Sequence, residues 1–430
     1  MKKLVLSLIM LLSIGFLRAE TTVPVDSTRV YKLGEILVTS DKIIESASPS
    51  SIFKLTRNEL QKRDAMTFQD LNALIPSSNI SKNSRGEALI TIRGMGDRRA
   101  TIFFDGALLN NQWDRRFDLS LLPTDLISKI TISNGSASVL YGANSLAGCI
   151  DITSAERSTN GFGGSLSLFG GNGPYGNISV MQNGKSDKFN YIVGFSYLDS
   201  KGMVLSGQSI DHANDTTYTD LVNQDKNSRL RTNTDKTLYN AYVRAEYTGE
   251  NASCGLSFMR IGSDFGVAPQ GNETNPRFWR TTDYARNLLT YNGIVTTDKE
   301  NQSSFRTTLW LDNTTLPIDE YTDMTFSAYD SAASTLDKTN TYGARLIYDL
   351  NPNNVNSLKA TATAYYTANT ESYKDLSIQA LDYSELIYDA GVEYNYRNQS
   401  GLVITAGALL TGQITPKAGA FTDVDGKSTM

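Results

Sequence analysis

The sequence predicts a small α+β domain followed by antiparallel transmembrane β-barrel strands, and three observations carry that prediction. Beyond Asn160 apolar and polar residues alternate with a period of two. The connections between the strands so defined alternate between brief and long, and the chain ahead of them is built of short strands, short helices and glycine turns. After the first 20 residues no apolar segment approaches the ~20 residues that a membrane helix needs, and the mean hydropathy is negative. The chain is therefore either exported and soluble, or it crosses a membrane with strands.

The N-terminus opens with Met1-Lys2-Lys3, runs apolar from Leu4 to Leu17 and continues Arg18-Ala19-Glu20. A positive start, an apolar run of secretory length and a cut after Ala19 read as a signal peptide over residues 1–19, although Leu17 is larger than the usual residue three places before a cut. The 22 Tyr and 33 Gly, with abundant Thr, Ser and Asn, favour β structure. A net charge of −5 with no basic stripe argues against nucleic acid. Cys149 and Cys254 are too sparse to define a disulfide framework, and His212 is the one histidine, so neither a metal site nor a cofactor is expected. Cys149 is expected to be a small buried side chain.

Residues 20–45 read as a flexible lead that contains a short β-prone strip, Gly34-Glu35-Ile36-Leu37-Val38-Thr39-Ser40. A lone strand can add itself to the edge of another protein's sheet, or it can serve as the first strand of the following domain. Thr21 to Val25 is a second such strip, weakened by Pro24, which lacks a ladder donor. Residues 46–156 then form the α+β domain. Thr56-Arg57-Asn58-Glu59 is a capping box and Thr67-Phe68-Gln69-Asp70 a similar signal, with Pro76 stopping the second helix. Ala88 to Arg93 and Ala100 to Asp105 read as a hairpin closed by Gly94 to Arg99. Arg93 is expected to pair inside this domain or against a surrounding wall. Pro123 is expected to open a helical turn, Ile127 to Ile132 to form a strand, and Gly135 to Gly142 a small helix.

If Gly94 to Arg99 closes one end of that hairpin, Asn79 to Gly86 and Ala107 to Phe117 emerge together at the other. They gather Asn83, Ser84, Arg85, Asn110, Asn111, Gln112, Trp113, Asp114, Arg115 and Arg116 at one pole. Arginines, amides and an indole in one place suit recognition of a polar ligand. A solvated pair of loops is the plainer reading of the same residues.

Four motifs stand in order within about seventy residues. They are Thr91-Ile92-Arg93-Gly94, Phe104-Asp105-Gly106-Ala107-Leu108, Val139-Leu140-Tyr141-Gly142 and Gly148-Cys149-Ile150-Asp151-Ile152-Thr153. Together they resemble the plug domain of TonB-dependent outer-membrane receptors, whose common forms read IRG, LDGVPL, ALYG and GGVINI at this order and spacing. Cys149 stands where that pattern has glycine. The resemblance implies a receptor of the outer membrane that imports a scarce ligand and catalyses nothing. Its usual ligands are iron-siderophores and cobalamin, and an iron-siderophore or cobalamin-like compound is the favoured expectation here. Partners implied are the periplasmic arm of TonB in the TonB-ExbB-ExbD complex, outer-membrane lipid and a small-molecule ligand. The ten residues of the pole become ligand-binding candidates, and Glu35, Ile36, Leu37, Val38, Thr39 and Ser40 resemble the TonB box.

Residues 160–430 read as barrel. Expected strands are 162–170, 175–183, 189–199, 237–249, 251–262, 284–297, 303–313, 339–350, 355–370, 383–397 and 401–412. In Tyr239 to Tyr247 the odd positions are apolar while Arg244 and Glu246 share the other face, as in strands with lipid on one side and a polar lumen on the other. Gly184 to Lys188 and Gly249 to Asn251 are brief connections, whereas Ser200 to Lys236, Ser263 to Asp283 and Thr314 to Lys338 are long. Arg277, Phe278, Trp279 and Arg280 in the second long connection are further candidates for ligand contact. Eleven strands are about half of the roughly 22 in a barrel with a plugged lumen, so a truncated barrel is expected. Two other classes stay open. Asp211 and His212 with a nearby serine allow an outer-membrane barrel enzyme, and period-two strands also suit a secreted β-structured adhesin.

Overall fold

A computed structural model describes Leu33 and residues 52–418, except 64, 112–113, 135–137, 156, 158, 172–173, 206–221, 223–228, 272, 274, 301–302, 354 and 398–401. The signal peptide, the strip Glu35 to Ser40, Asp211 and His212 lie outside the described residues, as do Gln112 and Trp113.

The first part of the chain folds around a five-stranded sheet. Its strands are β1 (Ile52–Thr56), β4 (Ala100–Phe104), β5 (Ala107–Leu108), β6 (Ile127–Asn134) and β7 (Gly148–Ser154), in the order β1-β6-β7-β4-β5, with β4 and β7 parallel. A separate pair, β2 (Ser78–Lys82) and β3 (Ala88–Ile92), packs beside it. Phe68, Leu71, Ile92, Phe103, Ile130, Ile150 and Ile152 fill the core between them. Both capping signals form. The Glu59 carboxylate accepts from the Thr56 N–H at 2.7 Å ahead of helix α1 (Arg57–Gln61), and Asp70 accepts from the Thr67 N–H at 2.9 Å ahead of a 3-10 turn. Gly148, in the last motif, has φ +144°, and a Cβ there would lie 2.2 Å from the Ser133 carbonyl oxygen, so β6 and β7 close only over glycine. Cys149 beside it is buried, as expected.

Four expectations for this region are corrected. β3 and β4 belong to different sheets, so Gly94 to Arg99 joins two layers instead of closing a hairpin. The Arg93 N–H donates to the Ser77 carbonyl at 2.7 Å, and the residue sits exposed at φ 53° in the turn after β3. Its side chain is thereby turned outward, away from the interior. Pro123 does not open a helical turn; it bridges to Thr67, and the turn that follows starts at Thr124. Within the described part of Gly135 to Gly142 there is a single 3-10 turn, Val139–Tyr141.

Eleven antiparallel strands follow among the described residues, each paired with the next. They are β8 (Gly161–Gly170), β9 (Tyr175–Ser186), β10 (Phe189–Ser200), β11 (Lys236–Thr248), β12 (Ala252–Gly266), β13 (Trp279–Asp298), β14 (Ser303–Glu320), β15 (Thr335–Leu350), β16 (Asn356–Tyr373), β17 (Leu381–Arg397) and β18 (Val403–Ala418). The two faces divide as the period predicts. On β10 Phe189, Tyr191, Val193, Phe195 and Tyr197 point outward and are exposed, while Asn190 and Ser196 are buried on the plug side. Polar side chains facing inward neutralise one another: Arg286 meets Asp312 at 2.5 Å, and Arg306 meets Asp349 at 2.6 Å. Several strands run further toward the long connections than the sequence suggests, β14 to Glu320 and β13 back to Trp279. The apolar outer face that marks a strand is needed only at lipid depth, so the pattern fades before the strand does. Likewise β18 continues past Gly412 to Ala418.

The wall grips the plug at the tip of the β4–β5 turn. Asp105 and Gly106 both take positive φ, 47° and 81°, which a two-residue turn of this kind requires. The Asp105 carboxylate accepts from Tyr242 OH at 2.5 Å and from the Ser154 N–H at 2.8 Å, with the Arg244 guanidinium 3.8 Å away. The Asp105 carbonyl accepts from Asn292 at 2.9 Å, and the Gly106 carbonyl from Arg345 at 3.4 Å. Three wall strands, β11, β13 and β15, thus hold one turn. Nearby, Arg244 also donates to the carbonyl of Leu33 at 3.4 Å.

The β2–β3 turn is organised by Asn83, whose side chain accepts from the N–H groups of Arg85 and Glu87 at 2.9 and 3.1 Å and donates to the Glu87 carboxylate at 2.5 Å. Burial pushes the Glu87 carboxyl above its ordinary 4.5, with Asp114 and Asp118 adding to the rise. The folded plug therefore holds this proton more tightly than the unfolded chain does, and stability falls as pH rises from about 4.5 through the raised value. Two outcomes are expected. Thermal melts of Glu87→Gln should show a shallower fall over that pH window than wild type, and coincident slopes would contradict the assignment. Asp105→Ala should cost about 3 kcal/mol, because the Tyr242 hydroxyl and the Ser154 N–H lose their buried acceptor; hydrogen exchange at the Ser154 amide in detergent-held protein should speed up about a hundredfold.

Candidate ligand cavity

A cavity of about 550 Å3 lies between one pole of the plug and the wall, toward the long connections. Arg85, Arg98, Asn111, Asp114, Arg115 and Arg116 line it from the plug, and Trp279, Leu316, Ile318, Thr335, Asp337 and Glu371 from the wall. Its size falls among small-molecule sites. A recess of about 60 Å3 adjoins it, sharing Arg85, Asn111, Asp114 and Arg116 and reaching Glu87, Phe117, Tyr284 and Arg286.

The plug side is preorganised by its own backbone. The Asn111 N–H donates to the Arg116 carbonyl and the Arg115 N–H to the Asn111 carbonyl, both at 2.6 Å, and Arg115 takes φ 62°. This tight loop presents consecutive arginines in different directions. Arg115 comes within 3.7 Å of Glu385 on β17, whereas Arg116 pairs with Asp97 at 2.6 Å. Arg98 donates to the Asp114 carbonyl at 2.9 Å. Asp97 and Arg98 therefore stand at the same pole as residues 111–116. The expectation that Gly94 to Arg99 marks the opposite end rested on the hairpin that does not form.

Of the ten residues read from sequence for this pole, Arg85, Asn111, Asp114, Arg115 and Arg116 line the cavity. Asn110 does not. It is buried, its amide donates to the carbonyls of Ala100 and Arg115 at 3.1 Å, and its oxygen accepts from the Ile102 N–H at 2.7 Å, so it braces the loop from within. Asn83 shapes its own turn, and Ser84 is exposed without lining the cavity. Gln112 and Trp113 fall outside the described residues.

The wall side depends on a β-bulge that the sequence pattern hides. The pairing of β13 with β14 shifts register between Arg280 and Ala285, and Asp283 takes φ 56°. Below the shift even positions face inward; above it, odd positions do. Trp279, Thr281, Tyr284 and Arg286 consequently all line the recess. Arg277 lies 4.4 Å over the Trp279 ring, while Arg280 is directed to Asp235 at 2.6 Å. Asp337, Glu371 and Tyr284 were not singled out from sequence. The inward parity of their strands was readable; their height relative to the plug was not.

Residues 45–149 match the family model of the TonB-dependent receptor plug domain. The ferric enterobactin receptor PirA of Pseudomonas aeruginosa is 29% identical over 160 residues, which are 33% of this chain and 21% of that protein. The vitamin B12 transporter BtuB of Vibrio vulnificus is 24% identical over 110 residues, 25% of this chain and 18% of that one. Among solved structures the copper transporter OprC superposes with a TM-score of 0.67 at 14% identity, covering 84% of this chain and 54% of OprC. The siderophore receptor PirA from Acinetobacter baumannii gives 0.63 at 13% identity, covering 86% and 57%. The chain thus spans little more than half the length of these structures, and the likeness is one of fold. Residues 45–149 thus carry a TonB-dependent receptor plug domain, and behind it stands an eleven-stranded wall among the described residues, as in the solved structures of that fold.

Proposed function

We propose that this chain serves an outer-membrane receptor for TonB-coupled uptake of an iron-siderophore or cobalamin-like compound. The observation that carries the reading is the 550 Å3 cavity bounded by four plug arginines and Trp279 on the side of the long connections. Arginine forks suit an oxygen-rich anionic ligand, and an indole beside them supplies an apolar anchor. The ferric enterobactin receptor and the vitamin B12 transporter to which the chain is similar support the same class. In this reading residues 1–19 direct export, residues 46–156 form the plug and residues 160–430 contribute barrel strands to the outer membrane. The strip Glu35 to Ser40 adds a strand to the periplasmic arm of TonB, and pull on it loosens the plug from the wall. The protein then transports and performs no catalysis of its own.

Ferric enterobactin is a suitable first probe, added to outer membranes that contain the full chain. Replacing both Arg85 and Trp279 with alanine should weaken its binding by about 30-fold or more; unchanged affinity would remove the cavity from consideration. Leu37→Pro should abolish energy-dependent uptake while leaving surface binding intact, since proline removes a ladder donor from the coupling strip. Uptake at the wild-type rate would overturn that assignment.

A further inference from the structure

The two sides of the cavity are charged oppositely, and on the wall side a pair of carboxylates stands without a close counter-ion. Asp337 on β15 and Glu371 on β16 are direct partners in the antiparallel register. The alternation along both strands turns them inward, where both line the cavity. Like charges directly opposed across two strands lie about 5 Å apart at Cβ and destabilise the sheet. Elsewhere on this rim such charges are met. Glu385 faces Arg115 at 3.7 Å, and Lys374, three residues from Glu371, reaches Asp319 at 2.5 Å.

Asp337 and Glu371 have no ion pair within 4 Å among the described residues. Glu371 accepts from Tyr373 OH at 3.1 Å, while Asp337 Oδ1 is buried with no hydrogen-bond partner. Trp279, on the same side of the cavity, keeps its indole N–H buried and likewise unpartnered. Arg85, on the plug turn across the cavity, lines the same space without an ion pair to Asp337.

Resting on the reading of this cavity as the ligand site, we infer that Asp337 and Glu371 select for a ligand bearing a cationic nitrogen, a primary ammonium or guanidinium, besides its chelating oxygens. A bare metal ion suits the pair poorly. Hard cations take six or more oxygen ligands, and no group of three metal-ligating side chains occurs among the described residues. An ammonium has three N–H donors and matches what is present: two neighbouring carboxylates that accept. The plug arginines and the wall carboxylates then orient a dipolar ligand by its two ends. A ligand with only anionic groups meets repulsion on one side.

The pair ferric desferrioxamine B and its ferric N-acetyl derivative isolates this contribution, because acetylation removes the ammonium and leaves the chelate. Binding of both is measured on outer membranes carrying the full chain, for wild type and for the near-isosteric double variant Asp337→Asn with Glu371→Gln. Expected is about tenfold or greater preference of wild type for the amine-bearing probe, lost in the double variant. Ferric enterobactin, which has no ammonium, serves as the control for folding and should bind the double variant at least as well as wild type. Equal binding of the two hydroxamate probes by wild type, or a preference that survives in the double variant, would overturn the inference. So would binding of ferric enterobactin with neither hydroxamate probe bound, and the cavity reading would survive it. Failure of all three probes to bind wild type would remove the cavity reading and this inference together.

Discussion

Everything in this molecule hangs on how a five-residue strand and a two-residue turn are held inside a polar wall. Asp105 and Gly106 accept hydrogen bonds from side chains on three separate wall strands, and Asp105 is almost fully buried where it does so. A buried carboxylate is tolerable only when its charge is met and its lone pairs are occupied. Here Tyr242, Arg244 and the Ser154 amide meet it from both the wall and the plug's own β7. The result is a polar attachment, set by geometry, within an apolar core that plug and wall share, with Phe104 packed against Tyr242 beside it. It fixes the height of the plug in the wall, and through that the width of the cavity at the opposite pole.

Much of the architecture was legible because its causes are local. Period-two alternation follows from lipid on one face and polar contacts on the other, and it found all eleven wall strands in order. The two capping boxes need four consecutive residues each and formed as read. What failed was non-local. Two neighbouring strands, β3 and β4, read as one hairpin because they are adjacent in sequence, but β4 pairs instead in parallel with β7, far along the chain. That single error placed Asp97 and Arg98 at the wrong end.

The cavity was half legible for a related reason. The sequence points to five of the arginine, aspartate and asparagine candidates because the two plug loops that bear them are short and polar. Asn110 looks the same in sequence but is consumed by backbone groups, and only the fold of the loop reveals it. The wall's contribution comes from strands hundreds of residues away, whose inward parity could be read while their height beside the plug could not. Opposing electrostatic surfaces thus arise from two parts of the chain that share no sequence signal.

The bulge between Arg280 and Ala285 separates two regimes within one strand. Below it the pattern is dictated by the bilayer; above it the strand is free of that demand, and one extra residue decides which side chains see the lumen. Removing a single residue there would exchange the inward Trp279 for Arg280 while leaving every lipid-facing position in place. Such a strand is a hinge in sequence space: insertions or deletions of one residue re-dress the ligand chamber without costing the barrel its membrane fit. Diversification of ligand range in proteins built this way can proceed through changes in length at the rim as readily as through substitution within it.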